Sequence, residues 1–527
     1  MTSAIYAVSV DFGRDASYGH ANSNITSYVL DMTWNNGMTD GAQEFAAPAQ
    51  LTLTLDNSSG AFNLEESGAT FYTLFAEGQL IRVQATFAST TTTLFIGKLM
   101  GNPPLTMPTY GENVLTLTAR DLMDELLDIE FMPLIDTDVT TDEALKQPFQ
   151  VGAIALPYAA SFWILGVSIL GTDTILLGEA DMIAYETGQT TLAYVGDIAG
   201  GNTTVRAQQF LRDIVTAECG GRYFYNSRTG KFTFHNRHHD INPTSAVTFD
   251  KDDYEGCDYI PLSKVTNQIT IHYQPREVGA ASSVIYSIDN PLRLAGGETK
   301  TLTVRYKDAT VENARIGATA FITPQSGVDY IANTEEDGSG KDVTTKMIVS
   351  VTFGASSAAI TLVNPRPRRA WFTTLQLRGT PLRSFGRESV TSAPDGDSLH
   401  DYDLRPMTLN IPAVDDDELA QQYADSILSQ RRVPFAEMRR LTFLANMTDT
   451  RMTQALTRAP GDAITVQNDD FDHDAVYAIV GEQHHVSGGG EYPHEVTWIL
   501  KSLNTSQYWV LGVVGFSELG STTILAF

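Results

Sequence analysis

The sequence predicts a mainly β chain with α+β parts, in which one kind of antiparallel barrel or sandwich occurs twice. Three observations carry this expectation. The first 120 residues alternate apolar and polar side chains with a period of two. The last hundred repeat the same strand phrases at a near-constant offset. Between them stands a helix followed by a hairpin.

In the first segment Gln50–Leu55 (QLTLTL) sends Leu51, Leu53 and Leu55 to one face and threonines to the other. Leu80–Phe87, Thr93–Leu99 and Val114–Thr118 continue the pattern, and DNSSG (56–60), GNPP (101–104) and TYGEN (109–113) supply turns. A short helix at Asp121–Asp128 closes this unit, residues 1–128. Residues 129–256 read as an α+β domain with an apolar insert at 150–200. In it Thr203 or Thr204 caps a helix whose apolar face carries Val205, Leu211, Ile214 and Val215, stopped by Gly220-Gly221. Strands Arg222–Tyr225 and Lys231–Phe234 follow, joined by NSRTG. A strand starting at Val265 (VTNQITIHY) places 257–275 with 411–505 in the second β unit. The Gly/Ser/Thr-rich stretch 276–410 is then an inserted β-rich domain. The helix expected at 415–431 opens on Asp415-Asp416-Asp417-Glu418 and closes on Arg431-Arg432, so its charges oppose the helix macrodipole at both ends. Leu419, Tyr423, Ile427 and Leu428 form its apolar stripe.

The duplication rests on offsets. Gly78–Gln84 (GQLIRVQ) matches Gly461–Gln467 (GDAITVQ), Phe95-Ile96-Gly97 matches Ile479-Val480-Gly481, and the strand from Val114 matches that from Val496. The shifts are 383, 384 and 382 residues. A second repeat is apolar. Trp163–Val167 (WILGV) with Leu170–Leu176 (LGTDTIL) returns as Trp509–Val513 (WVLGV) with Leu519–Leu525 (LGSTTIL). Each copy holds two short β-prone runs around an L-G-[TS] turn, too little for a core of its own. Each must bury Trp163, Leu165 and Leu170, or Trp509, Leu511, Leu519, Ile524 and Leu525, against something else. That is either its own domain or a partner reached by strand addition. The partner would be a neighbouring subunit or a fibre or plug protein, with 506–527 as a C-terminal docking segment.

Charge restricts the function. Against 35 Lys+Arg stand 63 Asp+Glu, a net charge of −28. Such a field repels nucleic acid and anionic lipid, which argues against stable DNA binding and suits a conduit that DNA passes without sticking. The two cysteines, Cys219 and Cys257, allow no disulfide framework. MTSAIYAVSVDFGRD lacks the features of a signal peptide, and no 18-residue apolar run predicts a membrane-spanning helix, so a protein made in a cytoplasm is expected.

Catalytic and metal signatures are missing. There is no H-E-x-x-H, G-x-S-x-G or P-loop. His235, His238 and His239 beside Asp240 follow a predicted strand, and adjacent His238 and His239 diverge on extended backbone. His484-His485 has the same weakness. Asp470, Asp472 and Asp474 alternate as calcium ligands would, but an EF-hand loop would need Gly and Glu where Ala475 and Gly481 stand. The expectation is no catalytic residue, no metal and no cofactor.

APGDAITVQ…YAIVGEQHHVSGGGEYPHEVTWIL resembles the closing barrel of phage tail hub (baseplate hub, tail-tip) proteins. QLTLTLDNSSGAF…GQLIRVQATF…LFIGKL is similar to their first barrel, and FLRDIVTAECGGRYFYNSRTGKFTFHNR to the helix and hairpin of their second domain. The resemblance implies two tube-like antiparallel β-barrel domains plus inserted α/β and β domains. It also implies a virion tail protein assembled in the host cytoplasm. As a homotrimer it would join a six-fold tail tube to a three-fold, host-facing tip. Implied partners are the tail tube or distal tail protein, the tape measure protein and a tip fibre or plug protein, with DNA only in transit and no stable membrane insertion. Two other classes stay open: a tail-associated cell-wall hydrolase and a carbohydrate- or receptor-binding tip protein.

Overall fold

The computed structural model describes residues 3–503, apart from 16, 102–104, 107–112, 151–161, 165–166, 171–172, 176–182, 197–203, 242, 308–314, 471 and 489–493. The chain is mainly β, with several antiparallel sheets and a smaller helical share. Its first unit contains β1 (Ile5–Val10), β2 (Val29–Gly37), β3 (Gln50–Asp56), β4 (Leu80–Phe87), β5 (Thr90–Leu99) and β6 (Val114–Arg120). Alternation decides which side chains go inward: Leu51, Leu53 and Leu55 of β3 are wholly buried while the threonines between them are not. The helix expected at 121–128 is a single turn, Glu125–Asp128.

The α+β domain follows, with β7 (Ile183–Tyr185), α1 (Ala207–Ala217), β8 (Arg222–Asn226) and β9 (Lys231–His235). Helix α1 begins later than the Thr203/Thr204 cap predicted, because Val205 and Arg206 pair with Phe131 and Glu130 as a short strand. Tyr223, Phe224 and Tyr225 of β8 and Phe232 and Phe234 of β9 are buried in the same core as the helix residues Leu211 and Ile214.

Next come β10 (Thr248–Phe249), β11 (Gly256–Ile260) and β12 (Gln268–Tyr273). The inserted domain has its own core, around β13 (Thr299–Arg305), β14 (Ile348–Phe353), β15 (Ser357–Val363) and the fifteen-residue β16 (Ala370–Ser384). The chain returns through β17 (Glu388–Thr391), β18 (Pro406–Asn410) and α2 (Asp417–Arg431). The Asp416 side chain caps α2 by accepting from the Glu418 N–H at 2.9 Å. The expected stripe Leu419, Tyr423, Ile427 and Leu428 packs against the core only half-buried, and Ala420 and Ala424 lie deepest, so the helix sits close to its neighbours. The chain then completes the second unit with β19 (Glu437–Leu444), α3 (Asp449–Thr457), β20 (Ala463–Asn468), β21 (His473–Ser487) and β22 (His494–Ser502).

The strand orders bring out the repeat. The first unit runs β1-β4-β5-β6-β3-β2 and the second β10-β20-β21-β22-β19-β11, matching position by position. They differ at one end, where β1 meets β4 antiparallel but the two-residue β10 meets β20 parallel. The sequence division at 257–275 also differs from what is built. Strands β10 and β11 enter this sheet, whereas β12 pairs with β17 and β18 in a separate three-stranded sheet.

The units are joined edge to edge. Strand β2 pairs antiparallel with β21 from Asp31↔Ser487 to Gly37↔Gly481, making one sheet of thirteen strands that includes the two-residue strand Leu105–Thr106. Residues of both units share one apolar core. The matched glycines Gly97 and Gly481 have a steric reason: a Cβ at Gly97 would lie 2.4 Å from the Arg120 carbonyl oxygen, and one at Gly481 1.9 Å from that of Met38. The Gly481→Ala variant is therefore expected to loosen the β2–β21 pairing and cost about 1–3 kcal/mol in chemical denaturation, as overpacking does.

Candidate functional site

Where β2 crosses onto β21, three parts of the chain place polar side chains in the core. The turn between β8 and β9 inserts Arg228, whose side chain is 7% exposed, against Glu482 on β21, which is 0% exposed. The guanidinium donates through Nε to Glu482 Oε1 at 3.0 Å and through Nη2 to Oε2 at 2.6 Å. It also donates to the carbonyls of Leu456 at 2.5 Å and Ala455 at 3.1 Å, at the end of α3. Asn36 of β2 donates to Glu482 Oε1 at 3.1 Å and accepts from Ser227. Burial alone would raise the Glu482 carboxyl, but Arg228 and His484 hold it at about 2.

Two histidines extend this network. Tyr6 of β1 donates to His494 Nδ1 at 2.7 Å, and His494 Nε2 lies 2.9 Å from His484 Nδ1. His484 Nε2 is 3.2 Å from Glu482 Oε2, so its N–H faces the carboxylate without the alignment of a full hydrogen bond. With the protons on both Nε2 atoms, every donor along Tyr6–His494–His484–Glu482 points the same way and both rings are neutral. Burial pushes both imidazoles below the ordinary 6.5, His494 well below it. Trp34 of β2 stacks on His484 at 4.6 Å between ring centroids, 3° from parallel. The network thus ties the first unit, the second unit and the α+β domain together out of reach of solvent.

A second cluster joins the α+β domain to the start of β20. Residues 237–240 form a turn rather than extended backbone, and it brings His239, not His238, back onto His235. His239 Nδ1 lies 2.6 Å from Glu186 Oε1 and its Nε2 3.1 Å from the Gly461 carbonyl, so both nitrogens face acceptors. Burial opposes the charge on His239, but Glu186 and Gly461 raise its pKa, while burial drives His235 down to about 3. Glu186, His235 and His239 are near enough together to suggest a metal site. However, the two rings stack 3.7 Å apart and 5° from parallel, so no point lies in both ring planes, as a shared metal would require. The trio is built as a carboxylate–imidazolium pair covered by a neutral imidazole. Beside it Asp240 takes Arg222 at 2.6 Å and Lys501 at 3.0 Å.

A cavity of about 710 Å³ opens where the first unit, the α+β domain, α2 and the end of β22 meet, with Phe45, Arg212, Leu409, Ile427 and Leu503 on its wall. In it burial pushes Glu44 up to about 7 against a hydrogen bond from Tyr423 at 3.1 Å. Cys219 is buried, Cys257 exposed, and both are free thiols. Asp470, Asp472 and Asp474 fall at the β20–β21 hairpin, where Asp470 pairs with Lys251 at 2.9 Å. Of the apolar phrases, Trp163 and Leu170 lie in a three-stranded antiparallel sheet formed by Phe162–Ile164, Val167–Leu170 and Asp173–Ile175. Leu165, Trp509, Leu511, Leu519, Ile524 and Leu525 lie outside the described residues. No helix among the described residues is long and apolar enough to cross a membrane.

Two outcomes follow from the buried network. Arg228→Ala strands the Glu482 charge and is expected to cost about 3–5 kcal/mol in denaturant unfolding, whereas Arg228→Met combined with Glu482→Leu loses much less. For pH, the unfolded chain takes up protons near 6.5 that folded His484, His494 and His235 refuse. Their stabilisation is therefore present above pH 6.5 and drains away below it, by up to about 1.4 kcal/mol per pH unit for each histidine. His239 acts with the opposite sign, and so does Glu44, whose raised carboxyl takes up its proton in the folded chain first. Denaturant midpoints from pH 7 to 5 should fall in the parent and fall less steeply in His494→Gln.

No protein-family model matches the chain, and no curated protein matches its sequence. Solved structures are similar to it along nearly its whole length. A tail protein from Neisseria meningitidis MC58 is 12% identical, covering 94% of this chain and 96% of its own, with a TM-score of 0.46. A prophage MuSo2 tail protein from Shewanella oneidensis is 9% identical, covering 95% and 99%, also at 0.46. A prophage tail protein from Listeria monocytogenes EGD-e is 8% identical, covering 94% of each chain, at 0.37.

Proposed function

We propose that this chain is a structural hub of a phage tail tip. Three copies would close into a ring that joins the six-fold tail tube to the three-fold, host-facing apparatus and lines the channel for DNA. The carrying observation is the repeated strand order, with its two units fused edge to edge through β2 and β21. One chain thereby offers two similar units side by side, and three chains in a closed cycle offer six. Strand β11, the counterpart of β2, stands at the end of the strand order and would meet the first unit of the next copy. Three chains of −28 carry −84, which keeps DNA from adhering in transit.

In this reading the role is structural rather than catalytic, which sets aside the cell-wall hydrolase alternative. The cluster Arg228–Glu482–His484–His494 is sealed in the core, where no substrate reaches it. Partners in this reading are two further copies, the tail tube or distal tail protein, the tape measure protein and a fibre or plug at the tip. The place is the virion tail, after assembly in the host cytoplasm. Electron microscopy of the purified chain should give a C3 ring with six similar lobes around a channel, and the exposed Cys257 on β11 should alkylate more slowly in the ring than in dissociated chains. A monomer at micromolar concentration, or equal Cys257 reactivity in both states, contradicts the proposal.

A further inference from the structure

The inserted domain carries a sheet edge unlike its opposite one. Its three-stranded sheet runs β13-β15-β14, so β13 and β14 are both edges. Edge strands are normally guarded by charge, proline or bulges, because their unpaired backbone invites another strand. Strand β13 (TKTLTVR) follows that rule with Lys300 and Arg305. Strand β14 (IVSVTF) has no charge, no proline and an unbroken register with β15 from Ile348↔Val363 to Phe353↔Ala358. Its outward side chains Ile348, Ser350 and Thr352 are exposed, Ile348 at 56%.

We infer that β14 is an acceptor edge for the apolar C-terminal segment of a neighbouring copy, with Ser521–Phe527 (STTILAF) adding as a fourth strand. The inference rests on the assembly proposed above and names one of its contacts. Two chains of −28 repel, so their contacts favour uncharged segments; residues 504–527 contain one charged side chain, Glu518, and Ser521–Phe527 none. The eighteen residues from 504 to 521 can span up to about 60 Å when extended, enough to leave their own subunit. In the added strand Thr523, Leu525 and Phe527 fall on one face and Thr522, Ile524 and Ala526 on the other. The first set can extend the half-buried Val349, Val351 and Phe353 side of β14, and the second its exposed side.

The test is cross-linking of full-length chains carrying Cys257→Ser. A tagged Ser350→Cys chain and an untagged Thr522→Cys chain, whose cysteines fall on the same exposed face of the extended sheet, are co-expressed and treated with a short bis-maleimide. The expected product is a tagged–untagged dimer, reduced at least fivefold when Val351→Lys is added to the acceptor, while the melting temperature of that variant stays near the parent's. No dimer overturns the inference. Cross-linking only within one chain that carries both cysteines also overturns it, by making the contact intramolecular, and so does a dimer indifferent to Val351→Lys. Microscopy of the same samples separates the two proposals: a C3 ring without the cross-link removes this contact alone, and the cross-link without a ring removes the ring.

Discussion

The seam between β2 and β21 carries the fold, because it turns two β units into one sheet and two cores into one. Backbone pairing alone would leave the register open to slippage. Side chains fix it: Trp34 stacks on His484, Asn36 bonds Glu482, and Arg228 reaches both Glu482 and the end of α3. A guanidinium and a carboxylate taken out of water repay their desolvation only when every bond is made. The network is complete only when the α+β domain and both β units stand in this one arrangement. Gly481 adds a steric condition, since only glycine lets Met38 approach so closely.

This arrangement separates rigid centre from accessible edges. The ionisable groups of the centre are closed on one another and away from solvent. The assembly proposed above would use strand edges, one at β11 and one at β14. Such assembly would let a strongly acidic chain associate by hydrogen bonding of the backbone, without relying on complementary charge.

Much of the fold was legible in the sequence because alternation is a local signal. Leu80–Phe87 is a strand as read, and the match of Gly97 to Gly481 marked a repeat that the strand orders reproduce. The departures have physical causes. Strand β10 has two residues and no period to detect, and β12 alternates as a barrel strand would but pairs with β17 and β18. The site was hardly legible. Arg228 and Glu482 stand 254 positions apart, and NSRTG reads as an ordinary hairpin turn. Glu186 joins His239 across 53 positions through a turn that the histidine spacing did not announce. His484, set aside as a metal ligand because its neighbour His485 diverges, is the middle of a buried chain instead.

Native-state hydrogen exchange tests the central claim, that the seam makes one cooperative unit, most directly. The account predicts that amides of 31–37 and 481–487 in the sheet ladder are among the slowest to exchange, and that they open together with the cores of both units at the free energy of global unfolding. Seam amides that exchange through a separate, low-energy opening while both cores stay protected would contradict it.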